Sequence, residues 1–139
     1  MQFRRRAREV ALQVLYALDI LNITVPDALE LFWTNFEAPE EAREFSSNLI
    51  TGAWNNRSGI DKVLSECSEH WSLSRMSRVD KAILRMAVYE LQHCPDVPPK
   101  VTLNEAIDLG KIYGSENSGS FINGILDALY AKLRKDTDS

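Results

Sequence analysis

Residues 3–22 read FRRRAREVALQVLYALDILN. Ala7, Val10, Ala11, Val14, Leu15, Leu18 and Leu21 recur at spacings of three and four, the period of a helix that buries one stripe. Arg5, Glu9, Gln13 and Tyr16 fall toward the other side. The spacing predicts one long amphipathic helix whose stripe needs other helices to cover it.

The remaining chain supplies them. Pro26 suits the first turn of a second helix over 26–36, with Leu29, Phe32, Trp33 and Phe36 apolar. Pro39 opens a third, where Glu40 and Glu41 favour the N-terminal dipole and Ala42, Phe45, Leu49, Ile50 and Ala53 form the stripe. Ser58-x-x-Asp61 reads as a capping box for a fourth helix ending near His70, and residues 71–76 as a connector. Ser77-x-x-Asp80 caps a fifth, with Val79, Ile83, Met86, Ala87 and Leu91 inward. The break Pro95-Asp96-Val97-Pro98-Pro99 precedes a sixth helix over about 100–113, closed by Gly114 as a C′ residue. A polar loop, 115–119, leads to a seventh over about 120–134, and 135–139 reads as a frayed tail. No strand pattern, repeat or low-complexity tract emerges. The expectation is an all-α domain over 1–139, about seven helices in two packed sub-bundles that meet near the connector, the C-terminal one covering about 77–134.

Composition agrees. The chain has 139 residues, 45% apolar and 26% charged, enough for one core without staples. No run of 18 apolar residues offers a membrane span. With no signal peptide ahead of them, Cys67 and Cys94 read as reduced thiols. Net charge is −4, which argues against wholesale wrapping of nucleic acid, but its distribution is uneven. Arg4, Arg5, Arg6 and Arg8 put +4 on the first eight residues, while 27–69 hold nine acids against three bases. Such polarity steers an anion to one end.

Catalytic chemistry finds no motif: the two histidines, His70 and His93, sit in none, and no nucleophile elbow or Walker-type loop occurs. Cys67-x-x-His70 with His93-Cys94 makes a poor zinc set, because adjacent helical residues diverge by roughly 100 degrees; buried thiols with incidental histidines are the simpler reading, with no cofactor. The arginine run opposes the helix dipole if it merely starts a helix. A transit peptide would remove the stripe on cleavage. Guanidinium forks matched to phosphate explain it better. Asn117-Ser118-Gly119-Ser120-Phe121 stands at a helix start. It reads either as a plain cap with a core phenylalanine or as a phosphate site with a ring for an unpaired base.

Four segments carry a further resemblance: Arg4-Arg5-Arg6-Ala7-Arg8-Glu9-x-Ala11-Leu12-Gln13-x-Leu15-Tyr16, Asp80 through Leu91, Asp96 through Ile107, and Phe121-Ile122-Asn123-Gly124-Ile125-Leu126-Asp127. In this order they resemble the NusB family of transcription antitermination factors. The resemblance implies a non-catalytic, bacterial cytoplasmic RNA-binding protein of two helical sub-bundles. It would bind single-stranded boxA of ribosomal RNA precursors, pair with the small-subunit ribosomal protein NusE and join the RNA polymerase elongation complex. On this reading Arg4, Arg5, Arg6 and Arg8 hold phosphates, Gln13 and Tyr16 reach bases, and Asn117, Ser118 and Phe121 form an opposing lip. Asp80, Glu105 and Asp108 gather on a partner surface away from the arginines. Ser120 departs from the lysine common in the family. The alternatives are a stand-alone relative of the domain fused to rRNA cytosine methyltransferases, and a protein-interaction bundle with an acidic partner. The sequence leaves open whether the free protein is a monomer or a homodimer.

Overall fold

The computed structural model describes residues 2–35, 39–67 and 76–138. Within them lie seven helices and no strand: α1 (Gln2–Ile20), α2 (Val25–Asn35), α3 (Glu40–Asn55), α4 (Arg57–Cys67), α5 (Arg78–His93), α6 (Pro99–Tyr113) and α7 (Ser118–Asp138). Phe36, His70 and the connector residues 71–75 lie outside the described residues. The α1 stripe is buried from Ala7 to Leu18, but Leu21 is exposed, one residue past the helix end.

Helix α5 organises the molecule. It packs against α1, α3, α4, α6 and α7. Its buried residues run from Ala82 without interruption to Val88, and include Asp80 and Glu90, so no side of its middle faces water. A helix enclosed in this way must pair its charges. Arg85 does so through two hydrogen bonds to Asp61 of α4, at 2.8 and 2.7 Å. Helices α1, α2 and α3 form the N-terminal group; α4, α6 and α7 assemble on the other side of α5. The two groups therefore share α5 rather than meeting at the 72–76 connector, and α4 belongs with the C-terminal group although it precedes that connector.

Local signals explain most boundaries. Ser77 adopts an extended conformation and its Oγ accepts a hydrogen bond from the Asp80 amide at 3.0 Å, as its cap role requires. Pro98 and Pro99 start α6 as expected. The Ser58–Asp61 box does not form: α4 begins at Arg57 after the single residue Asn56, which places Ser58 inside the helix, and Asp61 is taken by Arg85. Gly114 does end α6, but with φ −93° and ψ −165°, an extended rather than left-handed conformation. A Cβ there would lie 2.3 Å from Ser118 Oγ, so it is the close turn into α7 that excludes a side chain. Gly110 likewise lets α6 approach α7: its Cβ would meet Ile122 Cδ1 at 2.7 Å. Helix α7 starts two residues earlier than expected and continues to Asp138, where the sequence suggested a frayed tail. Its later turns are held to α4, where Lys132 pairs with Glu66.

Candidate nucleic-acid interface

The first two turns of α1 carry the arginines, and each takes a carboxylate of its own chain. Arg4 donates to Asp96 at 2.9 Å and lies over the Phe45 ring at 4.9 Å. Arg5 donates from Nε to Glu105 at 2.9 Å and from Nη2 to Asp108 at 2.7 Å. Those hydrogen bonds to Glu105 and Asp108 hold the Arg5 guanidinium above its usual pKa. Arg6 projects furthest, 51% exposed, with only a 4.0 Å approach to Glu9.

Arg8 is different. It is 3% exposed, and its Nε donates to both oxygens of buried Glu90 at 3.2 and 3.1 Å. Thr102 Oγ1 donates to the same carboxylate at 3.1 Å. Arg8 therefore cannot hold a phosphate, contrary to the sequence expectation. Its spacing from Ala11, Leu12 and Leu15 puts it on the buried stripe, a signal already present in the periodicity.

The acids also redistribute. Glu105 and Asp108 face Arg5 rather than a surface away from it. Asp80 does not join them: it lies ten residues before Glu90 on α5, roughly 15 Å along the axis at 1.5 Å per residue. It is 7% exposed, so no accessible partner patch contains all three.

Helix α6 links the two halves of the expected site. Arg4 reaches Asp96, Arg5 reaches Glu105 and Asp108, and Glu9 accepts from the Tyr113 hydroxyl. That register runs α1 and α6 in the same direction. Gln13, half-buried, and Tyr16, exposed, continue α1 toward the end of α6 and the turn into α7. The Glu9 contact, with partial burial, raises the Tyr113 pKa above its usual value.

At the start of α7, Asn117 and Ser120 are exposed and Phe121 is half-buried against the core. Ser118 is not a free hydroxyl. It is 1% exposed, and its Oγ accepts from the Ser115 amide at 2.9 Å, closing the turn. An open cleft of about 630 Å³ separates this end from the start of α5, with Met76, Ser77 and Asp80 on one wall and Asn117, Ser120 and Phe121 on the other. Lys111 of α6 was not singled out in the sequence. Its stem crosses the first turn of α7, with Cγ 2.9 Å from where a Cβ of Gly119 would stand. A basic chain thus reaches this helix start although position 120 is serine; only the α6–α7 packing reveals it.

The pattern of the NusB family matches residues 5–131. The chain belongs to the NusB family. It is 64% identical over 138 residues to the transcription antitermination protein NusB of Syntrophus aciditrophicus, covering 99% of this chain and 86% of that one. The solved structure of T. maritima NusB superposes with a TM-score of 0.81 at 38% identity, covering 91% of this chain and 89% of that chain. A structure described as antitermination factors NusB and NusE in complex with dsRNA contains a chain matching at TM-score 0.83 and 28% identity, over 95% of this chain and 98% of its own. NusB proteins are antitermination factors, not enzymes. In this member the conserved-looking charges of the resembling segments divide into two kinds: Arg8, Arg85 and Glu90 are internal, whereas Arg5 and Arg6 face outward.

The thiols fit structural roles. Cys67 and Cys94 are half-buried, and burial pushes both pKa values up. His93 stacks on Tyr89 with ring centroids 4.6 Å apart. No group of three or more potential ligands gathers around a metal position among the described residues. No helix there is long and apolar enough to cross a membrane.

Proposed function

We propose that this chain is an RNA-binding antitermination factor of the bacterial cytoplasm. It holds single-stranded boxA of ribosomal RNA precursors, pairs with the ribosomal protein NusE, and helps RNA polymerase read through terminators. The observation that carries this reading is the outward-facing Arg4–Arg6 arm, joined along α6 to the Lys111 and Asn117–Phe121 end, in a chain that matches the NusB family over 5–131. A phosphate would replace carboxylates at Arg4 and Arg5 and find Arg6 already open. Tyr16 and Phe121 offer rings to unpaired bases, and Gln13 and Asn117 offer amides. When Arg5 turns to a phosphate, Glu105 and Asp108 lose their cation and become available to a basic ribosomal partner.

A boxA oligonucleotide and a scrambled one of equal composition, titrated with and without NusE, test the reading. It predicts preference for boxA and tightening by the partner. Equal binding of both RNAs, with affinity instead for an acidic protein, would favour the interaction-bundle alternative. Gel filtration of the free chain decides between monomer and homodimer.

A further inference from the structure

The cleft between the starts of α5 and α7 contains a group that the fold does not use. Asp80 is buried to 7% exposure on one wall, and its Oδ1 accepts no hydrogen bond among the described residues. Its amide is already engaged by Ser77 Oγ. A sealed acceptor without a donor costs about 1–3 kcal/mol, so Asp80 is poorly explained as a helix start alone.

The opposite wall suggests what could supply the donors. Phe121 and Met76 give apolar surface, while Asn117 and Ser120 are neutral. A lysine or arginine of a protein would meet a single acid and no second anion here. A planar heterocycle would meet a ring face, one acceptor edge and, beside it, the helix start crossed by Lys111, where its own phosphate can rest. The volume of about 630 Å³ lies within the range of small-molecule sites.

We infer that this cleft is a nucleobase subsite and that Asp80 selects guanine in it. The inference rests on the RNA-binding reading above. An ionised carboxylate only accepts hydrogen bonds. Guanine alone among the RNA bases presents two adjacent donors, N1–H and the N2 amino group, on its Watson–Crick edge. Adenine and cytosine place a ring acceptor beside their amino group, and uracil flanks its one N–H with carbonyls; each sets a lone pair against the carboxylate. The Asp χ2 torsion is soft, so a small rotation presents Oδ1 to the ligand.

Three heptamers test this on the full chain: all-uridine, and the same with a central guanosine or a central inosine, which lacks the N2 amino group. The guanosine heptamer should bind about tenfold tighter than the all-uridine one, with inosine losing most of that gain. Asp80→Asn should erase the guanosine preference while keeping the all-uridine affinity and the melting temperature. The inosine comparison uses unmodified protein and stands even if the variant folds poorly. Equal binding of all three heptamers, or a preference that survives in Asp80→Asn, would overturn the subsite and leave RNA binding intact. Loss of NusE affinity in Asp80→Asn with the guanosine preference unchanged would assign the cleft to the protein partner and overturn it too. If no heptamer binds, the RNA reading itself fails.

Discussion

Arg8 and Arg6 are two residues apart, and the structure gives them opposite tasks. Arg8 lies inside, committed to Glu90 and Thr102; Arg6 lies outside with a long approach to Glu9. Breaking a buried ion pair by removing one partner strands the other charge. Arg8→Ala should therefore cost about 3–5 kcal/mol of stability, read by thermal or urea unfolding, whereas Arg6→Ala should leave unfolding nearly unchanged. The sequence held half of this distinction: the period of α1 places Arg8 with the buried stripe, but only the fold shows Glu90 waiting for it. Tyr113 offers a second test at this scale. Its folded pKa is raised by the hydrogen bond to Glu9 and by burial. A raised tyrosine binds its proton more tightly when folded, so this contribution is complete below the ordinary tyrosine pKa and disappears as pH rises through the raised one. An ultraviolet titration, taken as the difference between wild type and Tyr113→Phe, should place Tyr113 above the ordinary range. Glu9→Gln should bring it down.

Among the elements, the α6–α7 corner sets the geometry of the interface. Gly110 and Gly114 are there because Ile122 and Ser118 occupy the space of a side chain. Gly124, also helical, meets nothing within 4 Å of a built Cβ. Gly110→Ala should destabilise by about 1–3 kcal/mol through overpacking. Gly124→Ala should stabilise by roughly 0.5–1 kcal/mol through helix propensity. Paired melting curves of the two variants check this, and similar shifts of the same sign would contradict the packing account. Helix existence and the capping by Ser77 and Pro98 were legible because they depend on local chemistry. The Ser58–Asp61 box was misleading because a distant arginine, Arg85, binds Asp61 more strongly than a helix start could. The cleft residues were legible as a polar helix start; Lys111 was not, since nothing in the sequence brings α6 across α7.

Over the whole molecule, the polarity read from the sequence survives in altered form. The arginine arm is not a bare positive patch. Asp96, Glu105 and Asp108 come from α6 and the turn before it and neutralise Arg4 and Arg5 in the free protein. No periodicity could foresee that pairing, because it joins residues about a hundred positions apart. Exposed pairs of this kind are weak, about 0–1 kcal/mol each, so RNA can exchange them. The double variant Glu105→Gln, Asp108→Asn should leave Arg5 unopposed and tighten RNA binding by the isolated chain a few-fold. The same variant should weaken binding of the basic ribosomal partner, measured by calorimetry. Unchanged RNA affinity would show that Arg5 is not exchanged.

The claim that an arginine face holds RNA phosphates is tested most directly at Arg6, the residue with least to lose inside the protein. Affinity for a boxA oligonucleotide, measured at several salt concentrations for wild type and Arg6→Ala, reports the phosphates engaged. The account predicts weaker binding of the variant and a slope of log affinity against log salt flatter by about 0.7, one single-strand phosphate. An unchanged affinity and slope would contradict it.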